Sequence, residues 1–522
     1  MGSQLLSIGI DSPNVMLMES WMSEGLLPNI KSIKDKGSEG FTQYKKQFRN
    51  ERCWDIFLKK NHNQSCGARF DEQTYNYELE PPLYNPSQPY FYELGDDFKV
   101  CLFDLPADLC RNLNGIAVHN WGSELNSSRP FSSPKELIEE ILYKYGPHPR
   151  SDKEYYNGRS RKSGENIAYS VPSLYDFKSL TDFISRLIRG IEKRTEILLD
   201  LISRDDWDLV LAVFNEFHTA NHMLWHLGEK HPLSEFHKIN GFHAQLEVMK
   251  AIDSGIGKVL ANFPNYKFLI YTIDNVKGNH MDLPSMLLLP ELLYRWNFPG
   301  KQTFYSSAID KRFLPDTICQ INKHWKDDIW NQITTDNRNY LSSPSELKVL
   351  KSTLNWNPAL WYRPMWRKMK AFALPSVADG HIRLNVSGRE KYGVVEPTCY
   401  HKTINEIMEF LSTCYNPRDE CSLVEKFFCI KEDPWKDGCF SPDLVVCFNE
   451  DSSPIDVVES KQYGRVGPFP FFRSGGHFSH GTTIHNPFYF SDREILANFK
   501  SISNLHLNEL GDFIQYLVVN HH

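Results

Sequence analysis

Five short, nearly unbroken apolar runs punctuate the chain: Leu5–Ile10, Lys99–Phe103, Asp208–Phe214, Lys267–Ile273 and Asp443–Phe448. Each is bounded by polar or turn residues and has the length of a strand buried on both faces. Between them, apolar residues recur three and four apart over Ser133–Tyr145, Ser179–Ser203 and His243–Phe263, the spacing of helices with one buried face. Ser133 followed by Pro134 has the form of a helix opening, a capping hydroxyl and then proline at the first helical position. Strands alternating with helices predict an α/β fold with a mostly parallel central sheet flanked by helices.

In such sheets chemistry gathers where strands end. The first strand runs into Asp11, the strand ending at Phe214 into Glu216 and His218, and the strand ending at Ile273 into Asp274 and Asn275. Asp and Asn favour turns for their own sake, but three strand ends carrying metal-type side chains to one sheet edge ask for more. The stretch from Pro284 to Tyr400 is rich in Trp, Tyr and Pro, including Trp325, Trp330, Trp356, Trp361 and Trp366, and reads as an inserted cap. The expected division is therefore a core part over 1–283, a cap over 284–400, and a return to the core over 401–522. That last part contains the Gly-rich segment Arg473-Ser474-Gly475-Gly476-His477.

Composition narrows the class. The chain has 522 residues, 41% hydrophobic and 24% charged, which supports a large core and excludes global disorder. A net charge of −7 argues against a dedicated nucleic-acid binder, while a small anionic substrate needs only a local positive group. No apolar run approaches the roughly 20 residues of a membrane span. The N-terminus shows no basic stretch followed by an apolar one, and Gly2 is a weak match to a myristoylation site. The 11 cysteines are scattered with no CxxC pair, as expected of reduced thiols in a cytoplasmic protein. A small-molecule substrate is the expected partner, with no nucleic acid and no membrane.

Six of the 19 histidines fall between His218 and His243. His218, His222 and His226 are spaced by four, so on a helix their rings share a face, and an HxxxH pair offers two imidazoles to one metal. A solvated or packed histidine face gives the same spacing. A third ligand would come from elsewhere: His477 in the Gly-rich segment, with His480 and His485 competing. Asp55 precedes the apolar run Ile56-Phe57-Leu58 and suits a helix start, where a carboxylate either caps the helix or faces the metal edge.

Taken in order, these segments resemble the alkaline phosphatase superfamily, in particular its type I phosphodiesterase and nucleotide pyrophosphatase branch. Ile8-Gly9-Ile10-Asp11 is similar to the family's opening strand with its metal-binding Asp. Glu24-Gly25-Leu26-Leu27-Pro28-Asn29-Ile30 is similar to its "EGxLPN" helix. Glu216 to His222 with Trp225 resembles the segment giving two ligands to the first metal. Leu288 to Arg295 resembles a following helix. His381 to Asn385 with Gly388-Arg389-Glu390 resembles the segment before the last ligand, and Arg473 to His477 the loop that carries it. The resemblance implies a first metal at His218, His222 and His477, and a second at Asp11, Asp274 and Asp55.

The departures bear on function. The family's Thr or Ser nucleophile stands in a pattern like "PxWTxFLTG", whereas this chain reads Cys53-Trp54-Asp55-Ile56-Phe57-Leu58-Lys59-Lys60. Asp55 occupies the nucleophile position, and Asn275 stands where a His is expected after Asp274. A carboxylate is a poor nucleophile toward an anionic ester, so Asp55 fits better as a ligand or bridge. The expectation is a metal-dependent enzyme with one or two divalent ions (Zn, Mn or Fe), hydrolysing a small phosphate or sulfate ester with activated water. Lys59 and Lys60 would hold the anion. The alternatives are non-hydrolytic iron and oxygen chemistry, or a non-catalytic descendant acting as a binding protein.

Overall fold

The computed structural model describes residues 4–45, 53–59, 68–79, 89–106, 113–122, 130–151, 172–237, 242–279, 281–306, 308–309, 325–350, 354–436, 441–451, 453–477, 483–492 and 504–520. Its centre is a nine-stranded sheet in the order Leu505–His506, Ser38–Lys45, Thr483–Phe490, Lys267–Ile273, Leu5–Asp11, Leu209–Phe214, Val100–Phe103, Gly115–His119 and Phe131–Ser133. All but Thr483–Phe490 and Phe131–Ser133 run the same way. Four of the five apolar runs thus become four adjacent parallel strands.

Alternation along these strands feeds two cores. Leu6, Ile8 and Ile10 face the same cluster as Val210, Ala212 and Phe214. Leu209, Leu211 and Val213 join Leu269, Tyr271 and Ile273 in the other. The first face is covered by the helices Phe177–Ile202 and Ala244–Asn262, together with Pro28–Lys36. Asp253 of the second helix caps the third, its Oδ1 accepting from the backbone N–H groups of Asn29 (3.1 Å) and Ile30 (2.9 Å). A carboxylate there meets the positive end of the helix dipole, which gives the Leu-Pro-Asn segment its structural role.

The structure corrects two expectations. Leu444–Phe448 is not part of the central sheet; it lies in a four-stranded antiparallel sheet with Ala371–Leu374, Gly380–Leu384 and Val424–Cys429. A short buried apolar run looks the same in either kind of sheet, so periodicity could not separate them. Ser133 does not cap a helix: it ends the strand Phe131–Ser133, the Ser133–Pro134 bond is cis, and the helix runs over Leu137–Tyr145. There it is the Ser132 hydroxyl that accepts from the Ile138 N–H at 2.8 Å.

The second sheet takes strands from both sides of residue 400, and the tryptophans of the expected cap pack inward. Trp361 and Trp366 are fully buried, Trp330 meets Trp361 edge-on at 5.3 Å, and Trp325 stacks on Phe472 at 4.0 Å. Among the described residues no helix is long and apolar enough to cross a membrane, and the seven described cysteines are free thiols.

Three buried imidazoles set an acid limit on this fold. Burial pushes His119 and His148 down to about 4, and His381 down to about 3, from 6.5. Between those values the unfolded chain binds protons that the folded chain does not, so stability falls as pH drops below about 6.5. Urea midpoints should therefore decline steadily from pH 7 to pH 4.5, and His381→Leu should flatten part of that slope. A midpoint constant over that range in the wild type would contradict the burial of these rings as neutral groups.

Candidate metal centre

Three neighbouring strands of the central sheet, Lys267–Ile273, Leu5–Asp11 and Leu209–Phe214, end side by side, with Asp11 in register with Ile273. Their exits are tight. Ser12 and Asp274 adopt left-handed backbone conformations, with φ of 49° and 63°, a region that short polar side chains tolerate best. The Asn275 N–H donates to Asp274 Oδ1 at 2.8 Å, and Asn275 Oδ1 accepts from the Val276 N–H at 3.0 Å. The residue standing where the family resemblance expects a His is thus bound to its own turn.

The third strand leads into the helix Glu216–Leu224, every residue of which is buried. His218 and His222 share a face of it. The Asp11 carboxylate accepts from His218 Nδ1 at 2.9 Å, and the Gly475 carbonyl accepts from His222 Nδ1 at 2.8 Å. With each Nδ1 directed to one of those oxygens, the two Nε2 atoms face one another at 2.8 Å. Two unprotonated nitrogens at that distance repel unless a cation, a proton or a metal ion, lies at them.

His477 completes the group. It ends the strand Gly475–His477, which pairs with Val276–Gly278 and places His477 opposite Val276. Its ring centroid lies 5.1 Å from that of His218 and 5.0 Å from that of His222. The loop is held on the helix by the Ser474 N–H, which donates to the His222 carbonyl at 2.8 Å. Only glycine fits at 475, since a Cβ there would sit 2.0 Å from the Asn221 carbonyl oxygen, and that close approach brings the Gly475 carbonyl to His222. Ligand atoms of His218, His222 and His477 all lie within 4.8 Å of one another, the one such group among the described residues. Three imidazoles with an Asp behind one of them match the donor set of a divalent transition-metal site.

The carboxylates Asp11, Asp55 and Asp274 are not gathered into a second group of that kind among the described residues. Asp11 Oδ1 accepts from Trp54 Nε1 at 2.8 Å and from the Ser12 hydroxyl at 3.0 Å. Asp274 faces His477 Nδ1 at 3.2 Å. Asp55, buried in the helix Cys53–Lys59, pairs with Lys59 at 3.3 Å. Lys60 and His480 lie outside the described residues, and His485 is on the strand Thr483–Phe490, paired across to Gln43.

A buried ionic network behind the helix start escaped the sequence reading. Arg194 lies between Asp104 (2.8 Å) and Glu216 (2.8 Å) and donates to the Val213 carbonyl; His148 Nε2 meets the same Glu216 at 3.1 Å. Despite burial, the charge of Arg194 and the hydrogen bond from His148 hold the Glu216 carboxyl down to about 2. The signal was present: Leu187, Ile191, Arg194, Leu198 and Leu201 form one buried stripe of the helix Phe177–Ile202, with a charge where the pattern calls for an apolar residue.

No family model matches the chain, and no curated protein is similar to it. Solved structures are similar over nearly the whole length. Phosphonoacetate hydrolase from Sinorhizobium meliloti 1021 in complex with phosphonoformate is 11% identical, with 100% of this chain and 96% of that one covered, at a TM-score of 0.43. Murine ectonucleotide pyrophosphatase/phosphodiesterase 5, in an inactive form with AMP, is 8% identical, with 99% and 95% covered, at 0.45. The human protein of that name is 9% identical, with 99% and 94% covered, at 0.43.

Removing Arg194 would leave Asp104 and Glu216 as buried charges without their cation, a loss of about 3–5 kcal/mol. Arg194→Met should lower the urea midpoint by a corresponding amount, and a midpoint within error of the wild type would show that the network holds nothing.

Proposed function

We propose that this chain is a metal-dependent enzyme derived from the alkaline phosphatase superfamily, near its phosphodiesterase branch, and that it acts on a small phosphate or sulfate ester without a Thr or Ser nucleophile. The observation that carries the reading is the convergence of His218, His222 and His477 with the Nε2 atoms of the first two facing each other at 2.8 Å. The ordered motifs around Asp11, Glu24 to Ile30, Asp274 and Arg473 to His477 support the ancestry. A divalent ion bound by these imidazoles would supply Lewis acidity and positive charge for an anionic ester.

The rest is done by the chain itself. Asp11 fixes the tautomer of His218 and the Gly475 carbonyl that of His222, so both ligand nitrogens are presented without a search over rotamers. Asp55 cannot deliver an alkoxide, and its pairing with Lys59 further reduces its nucleophilicity. We assign Lys59 to the anionic oxygens of the substrate, and Asp11, Asp55 and Asp274 to a weaker second ion. Each of these carboxylates is turned to a protein donor, so that ion would enter only at excess metal. A second reading, a binding protein without turnover, is favoured by the same Asp55–Lys59 pair and by the engagement of Asn275 in its own turn.

Three outcomes follow. Protein purified without added metal should hold close to one equivalent, and His222→Ala should lose most of it; wild-type metal content in that variant would overturn the ligand assignment. Adding excess metal should raise the melting temperature in a second step that Asp55→Asn abolishes while the first step stays. An unchanged second step would remove Asp55 from the centre. Nitrophenyl phosphate esters should turn over poorly at best, and robust turnover that survives Asp55→Ala would show that this position does not shape the chemistry.

A further inference from the structure

Away from the metal centre, a cavity of about 280 Å³ opens between the hairpin of strands Ala68–Phe70 and Tyr77–Leu79 and the second sheet. Its wall includes Arg69, Glu72, Arg383, Arg389, Lys431 and Trp435. Most of these charges are already committed. Arg383 donates to Glu390 at 2.8 Å, to Glu72 at 2.9 Å and to the Ser441 carbonyl at 2.6 Å. Arg389 holds both oxygens of Asp443 at 2.7 Å. The buried acids are saturated in turn: Glu390 also accepts from the Val386 N–H, and Asp443 from the Leu384 N–H and the Tyr400 hydroxyl.

Lys431 is different. Only 8% of its surface is exposed, yet among the described residues no carboxylate pairs with its ammonium. Burial pushes its pKa down and the neighbouring Arg383 and Arg389 charges add to the shift, while the nearby Asp443 and Glu72, both engaged by arginines, offset it only in part. A buried ammonium with no direct ion-pair partner is costly, and an external anion would relieve that cost. Arg69, at the outward position of its strand, forms no ion pair among the described residues and borders the same cavity.

We infer that this cavity binds a small tetrahedral oxyanion, a phosphate or sulfate group, between the Lys431 ammonium and the Arg69 guanidinium. The anion supplies Lys431 a direct partner of opposite charge, and the guanidinium offers the paired donors that such oxygens accept. The volume leaves room for an organic part beyond the anion, alongside the half-exposed Trp435 ring. No residue is shared with the metal centre, so this is a second site with its own occupancy.

Calorimetric titration of the full chain with inorganic phosphate tests it, with sulfate as competitor. Because phosphate could also bind at a metal, the titration is run in the His222→Ala background. Phosphate should still bind there, compete with sulfate, and weaken about tenfold or more in both His222→Ala/Lys431→Met and His222→Ala/Arg69→Gln. Lys431→Met relieves an unpaired buried charge, so its melting temperature without phosphate should be at least that of the parent, and its phosphate-dependent rise in melting temperature should vanish. Absence of phosphate binding in the His222→Ala chain, or binding unchanged by both further substitutions, overturns the inference. Should Lys431→Met fail to fold, Arg69→Gln, at an outward strand position, decides alone.

Discussion

Everything at the candidate centre turns on two nitrogen atoms, His218 Nε2 and His222 Nε2, held 2.8 Å apart with the Nδ1 of each ring directed to an oxygen. Unprotonated nitrogens at that distance repel. The fold nonetheless holds them so, by an Asp on one side and a main-chain carbonyl on the other. A cation shared by the two rings converts that repulsion into attraction, and the nearness of His477 makes a metal ion a better fit than a lone proton.

Holding the rings there requires the sheet, the helix and the loop to agree. The parallel neighbours Leu5–Asp11 and Leu209–Phe214 put Asp11 beside the start of the histidine helix. The Arg194, Asp104 and Glu216 network ties that helix start into the core. The bare backbone of Gly475 lets the last loop come close enough to orient His222 while carrying His477. Removing any one of these supports would leave the same three histidines in the sequence without the same geometry.

Much of this was legible in the sequence, because the strongest signals there were local. Four parallel strands showed as apolar runs, and the i, i+4 spacing of His218 and His222 directly after one of them marked a face. What was not legible depended on long-range partners. The run over Asp443–Phe448 carried no mark of which sheet it would join. The Ser133-Pro134 pair read as a helix start because a cis bond leaves no trace in residue pattern. Asp11, Asp55 and Asp274 were grouped by resemblance, while the structure turns them to Trp54 and His218, to Lys59 and to His477 respectively. Arg194 was visible as a charge on an apolar stripe, but its partners come from segments distant in the chain.

The proposed chemistry turns on Asp55, which stands where the family resemblance expects a Thr or Ser. Its carboxylate, in the helix Cys53–Lys59, is paired with Lys59, while His218, His222 and His477 converge as a group that could hold a metal. Anomalous diffraction at the metal edge, from crystals of protein purified without chelator, tests the central claim most directly. The account predicts one strong peak within coordination distance of His218, His222 and His477, with imidazole nitrogens at about 2.0–2.1 Å if the ion is zinc. Ordered histidines with no peak between them, or a peak bound elsewhere in the chain, would contradict it.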